Sequence, residues 1–128
     1  MNLKTIFKRL ILLDLSLIVL IIVTVFFESA EVADFNRYFE NDFSNAMLIV
    51  FSIGLLIYLI NLFLLYKFKS IGKQIYLILF IVLGVLSLLS PPDAMDSWLR
   101  VLDGLGMANS GAILVFLYFT PIKKEFDK

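Results

Sequence analysis

The feature that most limits how this chain folds is a set of four apolar blocks, each about as long as a bilayer is thick. They run from about Leu10 to Phe27, Ala46 to Tyr66, Ile71 to Leu89 and Val101 to Thr120. About 20 residues at 1.5 Å per residue cross about 30 Å of hydrocarbon. Inside lipid a spanning segment must satisfy its own backbone hydrogen bonds, so each block is expected to be a helix. The expected fold class is all-α: one integral-membrane four-helix bundle over residues 1–128. Apolar residues make up 61% of the chain. That exceeds the roughly 45–50% of a soluble domain, and the excess lies in blocks rather than amphipathic stripes. A cleaved signal peptide competes for the first block. Its apolar run is long for that role, and "ESAEVAD" after it offers no clean small-x-small cleavage site.

Flanking charge sets the expected direction. Lys4, Lys8 and Arg9 precede the first block, Lys67, Lys69 and Lys73 surround the second junction, and Lys123, Lys124 and Lys128 follow the fourth. Nine of the eleven basic residues thus fall on one side, while the other two connections are acidic. The positive-inside rule predicts both termini in the cytoplasm. Lys outnumbers Arg, and Ile, Phe and Asn are frequent, which suggests an AT-rich genome. The expected location is a prokaryotic cell (inner) membrane, with the bilayer as the first partner.

The first external connection, "ESAEVADFNRYFENDFSN", is patterned. Val32, Phe35, Phe39 and Phe43 recur at the spacing of one helical face. They predict a short amphipathic helix lying in the outer interface. Its acidic residues lack the spacing and the Gly turn of a calcium loop, so they read as a solvated face. The second connection, "SPPDAMDSWLR", has Pro91 and Pro92 to stop the third span. Asp96, Arg100 and Asp103 can pair within one helical turn, and Trp98 fits an aromatic belt.

Chemistry is limited by what is missing. With no Cys and no His, thiolate nucleophiles, the usual zinc sites and Ser-His-Asp catalysis are excluded. Zero net charge gives no footprint for nucleic acid. No cofactor, no metal and no enzymatic activity are expected.

Polar residues inside the spans are the candidate site. Asp14 lies five residues past Arg9, and Asn61 six before Lys67. Counted from those charges, both sit shallow on the cytoplasmic side, where antiparallel helices can bring carboxylate and amide together. Tyr76 and Tyr118 fall near the same level, so Asp14, Asn61, Tyr76 and Tyr118 form a candidate inner-leaflet cluster. It reads as a structural clamp or as a proton- or ion-handling site. The fourth span carries a second group. Gly104, Ala108 and Ala112 make a small-xxx-small series, and Asn109 and Ser110 lie near mid-membrane. This group reads as packing against the first span or a second copy, or as a polar patch facing a substrate.

Two functions follow. The leading one is an accessory or structural subunit, docking on a larger membrane protein. The alternative is a small homodimeric proton- or ion-coupled transporter. Four spans in little over one hundred residues, with Asp14 as the lone carboxylate of the first, resemble the small multidrug resistance family. The resemblance implies a transporter with Asp14 as its coupling site. It covers the general layout and Asp14. The family has a deeper Glu, surrounding aromatic residues and short loops. This chain has Asp, a long acidic first connection and its one tryptophan, Trp98, outside the spans.

Overall fold

The computed structural model describes residues 2–38, 42–89 and 93–127. It is all-helical among them, with four helices long and apolar enough to cross a membrane. These are α1 (Leu3–Thr24, continued by a 3-10 turn, Val25–Phe27), α3 (Asp42–Tyr66), α4 (Ser70–Leu89) and α5 (Ser97–Phe119). Between α1 and α3 lies α2 (Ala30–Tyr38), and the chain ends in α6 (Lys123–Phe126).

Three boundaries move outward from their expected places, α5 among them, which starts at Ser97 rather than Val101. Helix α1 starts at Leu3 rather than Leu10, because Asn2 caps it, accepting the Lys4 N–H at 3.1 Å. Apolar runs report where lipid begins; caps report where a helix begins. Likewise α3 starts at Asp42 rather than Ala46. The expected amphipathic helix corresponds to α2, opened by Ser29 as its cap. Of its apolar face, Val32 is half-buried and Phe35 exposed. Phe39 lies outside the described residues, and Phe43 belongs to α3. Pro91 and Pro92 also lie outside the described residues.

The long helices form two antiparallel pairs. Helix α1 packs chiefly on α5 and α3 on α4, and the pairs meet along α1 and α3. The α3–α4 turn closes tightly through Lys69 N–H to Leu64 O and Phe68 N–H to Leu65 O. That is the Schellman arrangement, with Phe68 at φ 55° where glycine is usual. The Phe68 ring is held between Phe7 and Phe126, with centroids at 5.8 and 5.3 Å. Just beyond the turn, Gly72 lets α4 ride on the α3 backbone. A Cβ there would stand 3.1 Å from Leu64 Cβ and 3.2 Å from Leu65 N.

The bundle has two unlike poles. At one, the N-terminus, the α3–α4 turn and α6 converge, tied by Lys4–Glu125 at 2.8 Å and Lys73–Asp127 at 4.0 Å. The apolar core sits on this side: Phe7, Ile11, Leu62, Leu65, Ile113, Leu117 and Phe126 are all buried. At the other pole, the segment before α5 is pinned to α2. Asn36 and Ala94 exchange hydrogen bonds at 2.8 and 3.3 Å, and Asp96 accepts the Ser29 N–H at 3.1 Å. The outer faces of the helices are apolar and exposed, as in Leu12, Leu56, Phe63 and Ile78, which suits contact with acyl chains.

Candidate functional site: a buried carboxylate below an apolar cleft

Helix α1 turns one face inward: Phe7, Ile11, Asp14, Leu17 and Thr24, at steps of three, four and seven. Asp14 is the centre of that stripe and is 3% exposed. Both of its oxygens are held by neutral donors from other helices. The Tyr58 hydroxyl of α3 donates to Oδ2 at 2.6 Å, and Asn109 Nδ2 of α5 donates to Oδ1 at 2.8 Å. Asn109 gives its second proton to the Leu10 carbonyl at 3.1 Å. A hydroxyl has one proton, so Tyr58, donating to Asp14, accepts from the Tyr76 hydroxyl of α4 at 3.1 Å. Ser110 of α5 stands beside the Tyr76 hydroxyl. Asn109, Asp14, Tyr58 and Tyr76 thus form a hydrogen-bonded polar ring, with Ser110 beside it, to which all four long helices contribute.

The ring unites residues that the sequence reading kept apart. Asp14 stands eleven residues after Leu3, about 16 Å along α1, and Asn109 eleven before Thr120, about 16 Å from the same pole. Asp14 is therefore halfway along its helix and level with Asn109. Asn109 and Ser110, read as a separate patch, are its neighbours. Tyr76 joins through Tyr58, which the sequence reading missed. A signal was available: Tyr58 lies one helical turn before Asn61, further from the basic pole and so nearer the level of Asp14 when α1 is counted from its cap.

Asn61 does not meet Asp14. Its side chain is buried, and among the described residues neither Oδ1 nor Nδ2 has a hydrogen-bond partner. It is one turn nearer the basic pole, inside the apolar core. Tyr118 is also apart from the ring. Its hydroxyl donates to the Lys73 carbonyl at 3.2 Å, and the Lys73 ammonium lies 4.9 Å from its ring centre. Of the small-residue series, Gly104 and Ala108 are exposed and Ala112 half-buried. Helix α5 meets α1 through Asn109, Ile113 and Leu117 instead. The series therefore faces away from this chain's own bundle.

A cleft of about 380 Å³ lies against the ring and separates the two helix pairs toward the α2 pole. Asp14, Tyr58 and Ser110 form its floor. Leu17 and Ile21, Phe51 and Leu55, and Phe80 and Leu83 form three of its walls, and Ser87 and Asp103 lie nearer its mouth. Its charged lining groups are both acids, Asp14 and Asp103. On the far side of the ring the apolar core closes the path. Its volume is that of a site for a small molecule, mostly apolar with a few convergent polar groups. Among the described residues, no group of three acids, His or Cys stands close enough to hold a metal ion. No known protein family, curated protein or solved structure matches this chain at a significant level.

Proposed function

We propose that this multi-pass membrane protein binds a small, largely apolar organic cation in the cleft and carries it across the cell (inner) membrane, coupled to protons or ions through Asp14. The supporting observation is the placement of the cavity: it lies between the two helix pairs on the α2 side of the bundle, reaches a buried carboxylate, and is backed beyond by packed side chains. An ammonium entering it meets acids only, and Phe51, Tyr58 and Phe80 offer ring faces for cation–π contact. At the floor it competes with the Tyr58 hydroxyl for Asp14. Displacing that hydroxyl removes a bond between the two helix pairs, which is how occupancy favours their rearrangement. In this reading the basic pole and both termini are cytoplasmic, following the excess of lysine there. Helix α2 lies in the outer interface, and the protein has no catalytic activity of its own. The cleft is complete within one chain, so binding does not require a second copy.

The test is uptake of a fluorescent lipophilic ammonium into proteoliposomes under a proton gradient. Wild type is expected to accumulate it, and Asp14→Asn to insert and fold but abolish uptake. Equal uptake by both removes Asp14 as the coupling group.

A second reading, an accessory or structural subunit, is favoured by the outward face of Gly104 and Ala108. Small residues permit close approach of another helix, from a larger membrane protein or a second copy. The mass of the protein extracted in mild detergent separates the two. A defined larger partner supports the subunit; a bare monomer or homodimer that transports supports the carrier.

A further inference from the structure

A second groove, of about 300 Å³, runs along the outside of the bundle where α1 meets α3. Leu12, Leu15, Leu59 and Phe63 line it, with the buried Ile11 and Leu62 at its base. It ends at Tyr66 and Lys67, next to the basic pole. From Leu59 to Lys67 is eight residues, about 12 Å along α3, most of the roughly 15 Å of hydrocarbon in one leaflet. The groove opens outward: Leu12, Leu15 and Phe63 are 51, 41 and 62% exposed. What lies beside such a surface at that depth is acyl chain.

Only the polar end carries charge, and that charge is positive. The Lys67 ammonium lies 5.7 Å from the centre of the Phe63 ring. The Lys8 ammonium, one turn before Leu12, lies 4.6 Å from the centre of the Tyr66 ring. Ring contacts place both lysines at the mouth of the groove. Among the described residues neither makes an ion pair. The acids of this pole, Glu125 and Asp127, are engaged by Lys4 and Lys73 instead. Two ammonium groups with no ion-pair partner among the described residues, above an apolar trough of leaflet depth, complement an anionic headgroup on a fatty tail.

We infer that this groove is a binding site for one anionic phospholipid. Its acyl chain lies along Leu12, Leu15, Leu59 and Phe63, and its phosphate sits between Lys8 and Lys67. This is independent of the cleft, which lies between the helix pairs on the side of the other pole.

The test is native mass spectrometry of the full chain released from nanodiscs of equal phosphatidylglycerol and phosphatidylcholine. Wild type is expected to retain one phosphatidylglycerol per chain. Lys8→Gln/Lys67→Gln is expected to lower that occupancy about tenfold or more, since each lysine near an anionic headgroup contributes severalfold. Lys123→Gln/Lys124→Gln removes the same charge from the same pole away from the groove and is expected to keep the lipid. Leu15→Trp keeps both lysines and fills the trough, and is expected to lose it. Equal losses from the two lysine pairs mean diffuse surface attraction and overturn the site. So does full retention by Leu15→Trp, which would leave a phosphate contact without a lipid groove. No preference for phosphatidylglycerol in wild type overturns it outright.

Discussion

Replacing Tyr58 with Phe removes one oxygen and leaves the ring in place. Two hydrogen bonds go with it: the donation to Asp14 Oδ2 at 2.6 Å and the acceptance from Tyr76 at 3.1 Å. Hydrogen bonds between membrane helices average about 0.6 kcal/mol and reach about 1.7. The bond to Asp14 is short and runs to a carboxyl group, so it belongs near the upper figure. Tyr58→Phe is therefore expected to cost about 1–2 kcal/mol. The sharper quantity is the coupling between Tyr58→Phe and Asp14→Asn in a double-mutant cycle. The assay is reversible unfolding from mild detergent into denaturing detergent, followed by helical circular dichroism. A coupling of about 1 kcal/mol or more is expected for this pair, and additivity within about 0.5 kcal/mol for Asp14→Asn with Asn61→Leu. Additivity of the Tyr58 pair, or coupling of the Asn61 pair, would refute the ring as drawn and return Asn61 as the partner of Asp14.

Other perturbations test separate parts of the argument. Asn61→Leu is expected to raise stability in the same assay by about 1–3 kcal/mol, because it replaces a buried amide without partners by an apolar side chain of similar size. Gly72→Ala is expected to destabilise by about 1–3 kcal/mol, since its Cβ would press on the α3 backbone. Gly54→Ala meets only Leu83 Cδ2, at 3.4 Å, and is expected to be tolerated. Tyr58→Phe is also expected to tighten binding of a lipophilic ammonium by severalfold, measured by fluorescence titration, because the ligand no longer displaces a hydroxyl from Asp14. Asp103→Asn is expected to weaken that binding less than Asp14→Asn does, as Asp103 lies on the exposed part of the cleft.

The sequence by itself determined what depends on neighbours along the chain. Four runs of apolar residues are enough to specify four helices long and apolar enough to span a bilayer, because the partition of each segment into lipid is a sum over its own side chains. The alternation of basic and acidic flanks is equally local. The structure gathers Lys4, Lys67, Lys73 and Lys123 around one pole because antiparallel helices must. Asp14, alone in its run, announced itself as a site for the same reason.

Only the tertiary structure decided which groups Asp14 would meet. Rotation and vertical register are set by packing of Phe7, Ile11, Ile113 and Leu117 between α1 and α5, and by the close approach at Gly72 between α3 and α4. Those contacts join residues remote in sequence, and a shift of a single turn changes every polar partner. Asn61 and Tyr58 are one turn apart on α3, yet one is left in the apolar core and the other holds the carboxylate. Asn109 was visible as a polar group in span four, but its depth relative to Asp14 depended on a cap at Asn2 that lies outside the apolar run. The cleft had no local signal at all. It exists because the two helix pairs meet closely on one side of the ring and stand apart on the other.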